Sequence, residues 1–357
     1  MLQNKEKVVV CGHYGSTNIG DEAIGLSLIQ RIQGENPESE ITFLSYKPSN
    51  TKEVLKVDSV YLLPLGIKSL LRGIFKGELF KTLSTIKNCD KFIIGGGGLF
   101  TDEKLLAVFL WGLHAFCAYR YAKPVYMIGQ SVGPLNTRIG KWITKKCFEK
   151  AKKIVVRDSS SKEILEKIGI NKEIMIEKDL VFSLKMEGEF NNDYLNKKVE
   201  QNNLKGYFIV NLRPWPKNTE ILYKKINQLL HAIVEKYSLL PLFIPFQECH
   251  QNDAQLMHNI LEQNPQKYPI LIQKFDHNIF RVISCFKDAE FTLGMRLHSL
   301  IFSMIQNTPI IALSYSPKIS NMLKDNNLNN FIIDLDKPEM VLEAVDAIMN
   351  TNKNHEK

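Results

Sequence analysis

Short apolar, β-branched runs alternate with stretches of helical period along almost the whole chain, and most runs lead into a polar or glycine-bearing loop. Alternation of this kind selects parallel sheets, because parallel strands cannot be joined by a tight turn and need a helical crossover. The first set of runs is Val8–Gly12, Ile41–Tyr46, Lys91–Ile94, Val125–Gly129 and Ile154–Val156. A second set comprises Tyr207–Leu212, Leu240–Pro245, Ile270–Gln273, Ala289–Leu293 and Pro309–Leu313. Between them lies a polar stretch rich in Asn and Lys, 185–205, read as the interdomain region. At 357 residues the chain is longer than one hydrophobic core usually organises. The expected fold class is α/β, two doubly wound Rossmann-like domains facing a cleft. The expected domains are 1–184, 185–335, and a C-terminal helix and tail over 336–357.

Charge is distributed unevenly between these halves. Residues 1–180 hold 27 Lys+Arg against 19 Asp+Glu, and residues 181–357 hold 19 against 19, so the whole net charge of +8 lies in the first part. Such a half faces something negative: nucleic acid, an anionic membrane surface or a phosphorylated substrate. The six cysteines show no C-x-x-C pair and no metal-like spacing, which suits free thiols in a reducing compartment. The N-terminus runs straight into Val8-Val9-Val10 without a secretory apolar region, so a cytoplasmic location is expected. The longest apolar stretch, Leu105 to Tyr119, is too short to span a bilayer and reads as a buried helix.

Ligands of doubly wound folds bind at the carboxyl ends of the strands, and the motifs of this chain fall there. After the first strand comes Gly12-His-Tyr-Gly15-Ser-Thr-Asn18-Ile-Gly20-Asp21-Glu22. Its spacing matches neither the dinucleotide fingerprint nor a P-loop, but it brings Asn18, Asp21 and Glu22 to a helix N-terminus. Capping accounts for one such residue, less readily for all three beside glycines. Four consecutive glycines, Gly95 to Gly98, precede Asp102 and Glu103, and Gly129-Gln130-Ser-Val-Gly-Pro134 ends the next strand. Together these loops form a polar edge suited to a hydroxylated ligand, with Gly15, Asn18, Gly97, Gly98, Asp102 and Gln130 as candidate contacts. In the second half, Arg213, Arg296 and Lys318 follow strand ends, and His298 opens a helix beside Arg296. Cations at the positive end of a helix are disfavoured unless an anion sits among them, so this edge predicts a small, highly anionic ligand with a proton donor beside it.

These pieces, taken in order, resemble the polysaccharide pyruvyl transferase family. The resemblance rests on the Gly12–Glu22 motif, Gly95-Gly-Gly-Gly-Leu-Phe, Gly129-Gln-x-x-Gly-Pro134, Arg157-Asp158, Leu212-Arg-Pro-Trp215, Pro245-Phe-Gln247, Arg296-Leu-His298 and Ser314-Tyr-x-Pro-Lys318. Asp179-Leu-Val-Phe182 stands where the family more often has Asp-Pro-x-Phe. The Leu-Arg-Pro-Trp and Ser-Tyr-x-Pro-Lys pieces look most like the bacterial cell-wall polysaccharide branch. The resemblance implies a fold similar to GT-B glycosyltransferases, with an acceptor-binding first domain and a donor-binding second one. It implies transfer from phosphoenolpyruvate to a sugar, giving a cyclic pyruvate ketal. On that reading Arg213, Arg296 and Lys318 clamp the donor and His298 protonates its methylene carbon. Asp21 or Glu22 removes the acceptor proton or orients the diol. The expected partners are phosphoenolpyruvate and a sugar acceptor, thought to be lipid-linked. Neither a cofactor nor a metal is needed, because the cations already offset the donor charge.

Two other readings compete. A GT-B glycosyltransferase would share the fold and favour a nucleotide sugar, although the second half shows no clear acidic ribose-binding signature. A non-catalytic polyanion binder is prompted by the basic half, but no nucleic-acid module is recognisable and nucleic acid is not an expected partner. The segments Leu65–Lys87 and Arg138–Lys153 interleave basic and apolar residues. Either they are crossover helices with solvated outer faces, or they contact the anionic inner face of the membrane.

Overall fold

The computed structural model describes residues 5–103, 105–214, 219–248, 252–262, 268–273, 276–314, 317–325, 332–334, 337 and 340–355, without the side chains of 219–222, 314, 317, 318, 334 and 352–355. The chain divides into two compact units, Met1–Lys185 and Met186–Lys357. In the first, the elements are β1 (Lys7–Cys11), α1 (Ile19–Glu35), β2 (Glu40–Ser45), α2 (Pro48–Leu55), β3 (Asp58–Tyr61), α3 (Ile67–Phe75), α4 (Glu78–Asn88), β4 (Lys91–Phe100), α5 (Leu105–Arg120), β5 (Val125–Val132), α6 (Arg138–Glu149), β6 (Lys153–Val156), α7 (Ser159–Lys167) and β7 (Met175–Ile176). A 3-10 turn, Leu180–Ser183, follows. In the second they are α8 (Asp193–Gln201), β8 (Gly206–Asn211), α9 (Thr219–Tyr237), β9 (Leu239–Phe243), α10 (Asp253–Glu262), β10 (Leu271–Ile272), α11 (Ile279–Lys287), β11 (Thr292–Gly294), α12 (Leu297–Ile305), β12 (Ile310–Ser314), α13 (Pro317–Asp325), β13 (Ile332–Asp334) and α14 (Met340–His355).

Each unit holds one parallel sheet. The first is ordered β3-β2-β1-β4-β5-β6-β7 and the second β10-β9-β8-β11-β12-β13. In both, the order reverses beside the first strand of the unit, the switch point where doubly wound folds open a crevice at the carboxyl edge. Central strands are apolar on both faces because helices cover both. Val8, Val9 and Val10 are at most 2% exposed, and Phe208, Ile209 and Val210 are fully buried. In the first unit, α4, α5, α6 and α7 share one core through Ile86, Val108, Trp111, Ile143, Cys147 and Leu165. The shared core identifies one helix layer on one face of the sheet.

Four expectations change. First, β4 does not stop at Ile94 but runs through all four glycines to Phe100, pairing with β5 and shifting register between Gly97 and Phe100. Second, the polar stretch 185–205, read as the interdomain region, begins at the boundary between the units but is mostly part of the second one. It carries α8, and the preceding Asn192, 9% exposed, donates from Nδ2 to Ser284 O at 3.0 Å and Asp288 Oδ2 at 2.6 Å. Third, α14 inserts Val341, Val345 and Ile348 into the second core, so it belongs to that unit and is not a separate tail. Fourth, Leu105–Tyr119 is not a fully buried helix, because Leu106 is 70% exposed. The strands β3, β7 and β13 escaped the sequence reading because they are edge segments of only four, two and three residues. No helix among the described residues is long and apolar enough to cross a membrane.

Candidate active site

The β1–α1 loop folds on its own side chains. Asn18 caps α1, its Oδ1 accepting the Gly20 N–H at 3.0 Å. Glu22, 4% exposed, turns back so that Oε1 accepts the Gly15 N–H at 2.7 Å. Its Oε2 is buried and has no hydrogen-bond partner among the described residues. Burial, opposed by the Gly15 amide and reinforced by Asp21, pushes the Glu22 carboxyl up to about 8. Buried and turned back onto the Gly15 amide, Glu22 braces the loop, with its carboxyl held toward the protonated form. Asn18 and Gly15 are likewise used by the loop itself.

His13, passed over in the sequence, supplies the better candidate. Its Nδ1 lies 3.1 Å from Asp21 Oδ2 and 2.9 Å from Ser16 Oγ, and its ring meets Tyr46 edge-on with centroids 5.0 Å apart. The His13 side chain is 30% exposed and that of Asp21 19%. Burial lowers the imidazole pKa, but the hydrogen bond and charge of Asp21 outweigh it and leave the ring above its ordinary value. With Nδ1 held by Asp21, Nε2 is the nitrogen left to exchange a proton with a ligand. Tyr46, 41% exposed, offers an aromatic face next to it. The available signal was a histidine two residues past a strand end, followed by an aspartate in the first turn of the next helix.

The glycines divide into two kinds. A Cβ on Gly95 would lie 2.4 Å from Leu28 Cδ1, and one on Gly96 2.1 Å from Ile24 Cγ2, so these two let α1 sit directly on β4. Gly97, at φ +83°, has Asp21 Oδ1 as its nearest neighbour at 3.7 Å and therefore lies beside the His13–Asp21 pair. Gly98 is half-buried on the same strand.

Other acceptor candidates are committed elsewhere. Asp102, 8% exposed, accepts from Asn136 N at 2.8 Å, Thr137 N at 2.6 Å and Thr137 Oγ1 at 2.7 Å. Burial pushes its pKa up, but these bonds outweigh burial and hold the carboxylate below its ordinary range. It fixes the loop leading into α6. Gln130 is fully buried and donates from Nε2 to Ile94 O at 2.8 Å across the irregular β4–β5 pairing. Arg157 pairs with Asp179 at 2.7 Å, the side chains 8% and 4% exposed, while Asp158 caps α7. These motif residues hold the sheet edge in shape and do not present themselves to solvent.

In the second unit, β9, β8, β11 and β12 are neighbours, and their carboxyl ends carry respectively Gln247, Arg213, the Arg296–His298 turn and the start of α13 with Lys318. Buried Asn211 ties the middle of this edge together. Its Nδ2 donates to Ile244 O at 2.7 Å and its Oδ1 accepts the Arg296 N–H at 3.2 Å. Arg213 lies two residues past β8 and is half-buried, and His298 is the second residue of α12 and also half-buried. The Lys318 side chain lies outside the described residues.

Arg296 departs from expectation. Its Nε donates to Asp253 Oδ2 at 2.7 Å and its Nη2 to Asp253 Oδ1 at 2.6 Å, with the Asp253 side chain fully buried. Asp253 also accepts the N–H groups of Phe246 and Gln247, each at 3.1 Å. The forked pair therefore fastens the α12 N-terminus to the β9–α10 loop, and its charge is already met by a carboxylate. Asp253 lies 43 residues from Arg296 and carries no local sequence mark.

The chain is similar to several known proteins. The amylovoran biosynthesis protein AmsJ of Erwinia amylovora is 24% identical, over 92% of this chain and 88% of its own. Among solved structures, Anabaena HepE in complex with UDP-glucose superposes with a TM-score of 0.62 at 11% identity, covering 97% of this chain and 90% of that one. The putative UDP-N-acetylglucosamine 2-epimerase of Listeria monocytogenes gives 0.65 at 14%, covering 99% and 90%. At such identities the structures show the fold, a two-domain α/β architecture of the GT-B kind. The sequence profile of the polysaccharide pyruvyl transferases matches residues 18–317, well over half of the sequence, and the chain belongs to that family.

Proposed function

We propose that the protein transfers the pyruvyl group of phosphoenolpyruvate to two hydroxyls of a sugar in a polysaccharide precursor, forming a cyclic ketal and releasing phosphate. Family membership supports a transferase acting in polysaccharide biosynthesis. The observation that carries the donor assignment is the run of Arg213, His298 and the Lys318-bearing helix start on adjacent strand ends, which suits a ligand with both carboxylate and phosphate. Arg213 and Lys318 are assigned to those anionic groups, while Arg296 holds the turn that presents His298.

Two C–O bonds form at the donor's central carbon and the C–O bond to phosphate breaks. The methylene carbon gains one proton and becomes a methyl group, and the second hydroxyl proton leaves with phosphate. His298 is assigned as the proton donor to carbon. In the first unit, the His13–Asp21 pair is assigned to the acceptor hydroxyl, with neutral Nε2 as the base and Tyr46 as a surface for the sugar ring.

Calorimetric titration with phosphoenolpyruvate, run beside a panel of nucleotide sugars, tests this reading. The expected result is saturable phosphoenolpyruvate binding that weakens in Arg213→Ala and persists in His298→Ala, the latter without turnover. Binding of a nucleotide sugar alone would make the protein a glycosyltransferase. Full turnover by His298→Ala would remove the proposed acid.

A further inference from the structure

Helix α3 has its apolar stripe on the outside. Ile67, Leu70, Leu71, Ile74 and Phe75 follow the i, i+3, i+4, i+7, i+8 spacing that a helix normally buries, yet Gly73 is the only buried residue of α3. Ile67 is 78% exposed and Phe75 86%. Lys68, Arg72 and Lys76, all exposed, recur every four residues beside that stripe. Two other helices of the same unit continue the pattern. On α5, Leu106, Phe109 and Leu113 form an exposed line on the side away from core residues Val108, Trp111 and Ala115. The neighbouring α6 exposes Ile139 and Trp142, the latter 56%. Beside Trp142, Lys141, Lys145 and Lys167 line a cavity of about 440 Å³.

Apolar patches of this extent mark a contact surface. We propose that this face, formed by the outer sides of α3, α5 and α6, docks on an anionic lipid bilayer. Its chemistry favours that occupant over others. Neither α3 nor α5 contains an acidic residue, and α6 has one, Glu149, at its far end. A second copy paired about a two-fold axis would set Lys68, Arg72 and Lys76 against their own like charges. A bilayer accepts the apolar side chains below its headgroups while the interleaved lysines and arginines meet lipid phosphates, and an indole such as that of Trp142 suits the boundary. The charge excess of the first half of the chain lies in the unit that carries this face. The inference rests on the surface alone and does not depend on the pyruvyl-transfer reading.

Vesicle flotation with the full chain tests it. Wild type is expected to float with vesicles of phosphatidylcholine and phosphatidylglycerol in equal parts, far less with phosphatidylcholine alone, and less as salt is raised. Replacing Leu71 and Phe75 together by Glu, at positions too exposed to disturb folding, should lower binding to the mixed vesicles roughly tenfold or more. The pair Leu106→Glu and Phe109→Glu should do the same. Failure of wild type to float with mixed vesicles overturns the proposal, as does undiminished binding by both double variants, which would reduce the effect to charge adsorption. A dimer in light scattering that Leu71→Glu with Phe75→Glu converts to monomer would assign the face to a second copy and overturn it equally. No substrate enters these measurements, so their outcome leaves the catalytic proposal to its own test.

Discussion

Arg296 and Asp253 form a forked ion pair, with bonds of 2.7 and 2.6 Å, in a place where the carboxylate has no solvent contact and also receives two backbone amides. A cation that the motif offers as a ligand contact is thus bound to a buried carboxylate and helps build the turn that carries His298. His298 follows two residues later, so its position depends on this brace.

Removing the guanidinium would leave a buried carboxylate without its counter-charge. Arg296→Ala is therefore expected to lower stability by about 3–5 kcal/mol, measured by urea denaturation. Arg296→Lys should recover only part, since an ammonium cannot form the fork. If Arg296→Ala unfolds at the wild-type midpoint and loses only phosphoenolpyruvate binding, the side chain is a ligand contact after all.

Turnover should rise with pH as His13 loses its proton, because only the neutral ring accepts one. The Asp21 hydrogen bond and charge raise the His13 pKa against burial. Asp21→Asn removes the charge and leaves only a neutral acceptor, so the rising limb of kcat/KM is expected to move to lower pH while the plateau falls. For His13→Ala the loss should be about 10²–10⁴-fold. A limb that stays in place in Asp21→Asn would exclude His13 as the group that titrates.

The architecture was open to sequence reading because alternation of apolar runs with helical periods is a local property that parallel sheets require. The site was open to it only in part. Strand ends placed Arg213, Arg296, His298 and Lys318 on one edge, since position along a parallel strand fixes its end of the sheet. Which polar residue faces a ligand and which faces the protein depends on partners distant in sequence. Asp253 takes Arg296, the Asn136–Thr137 backbone takes Asp102, and Ile94 takes Gln130. Glu22 was ambiguous for a related reason, because Asp21 and Glu22 are adjacent and helix geometry sends one toward His13 and the other inward.

The glycine run separates packing from function within two residues. Gly96→Ala places a methyl group 2.1 Å from Ile24 Cγ2 at φ +64°, so α1 must move off the sheet. A loss of about 2 kcal/mol or more is expected in thermal or urea denaturation. Gly97→Ala is strained at φ +83° but meets nothing nearer than Asp21 Oδ1 at 3.7 Å. It should cost less stability than Gly96→Ala and more activity relative to that cost. The reverse order would place the close helix contact at Gly97.

Glu22 couples the loop to pH through stability and not through catalysis. Its carboxyl has an ordinary value of 4.5, and burial raises it to about 8 in the folded protein. The folded state therefore binds the proton more tightly than the unfolded chain. Below about 4.5 both states are protonated and the contribution is fully present; as pH rises toward 8 the unfolded chain releases its proton first and stability falls, by about 1.4 kcal/mol per unit at most. Gln keeps the carbonyl oxygen that accepts the Gly15 N–H and cannot ionise. Glu22→Gln should thus match wild type near pH 4 and become progressively more stable than it toward pH 8, read as the difference between paired urea melts across that range. A difference that is constant with pH would show that Glu22 is already ionised in the folded protein, and its role as the acceptor's base would reopen.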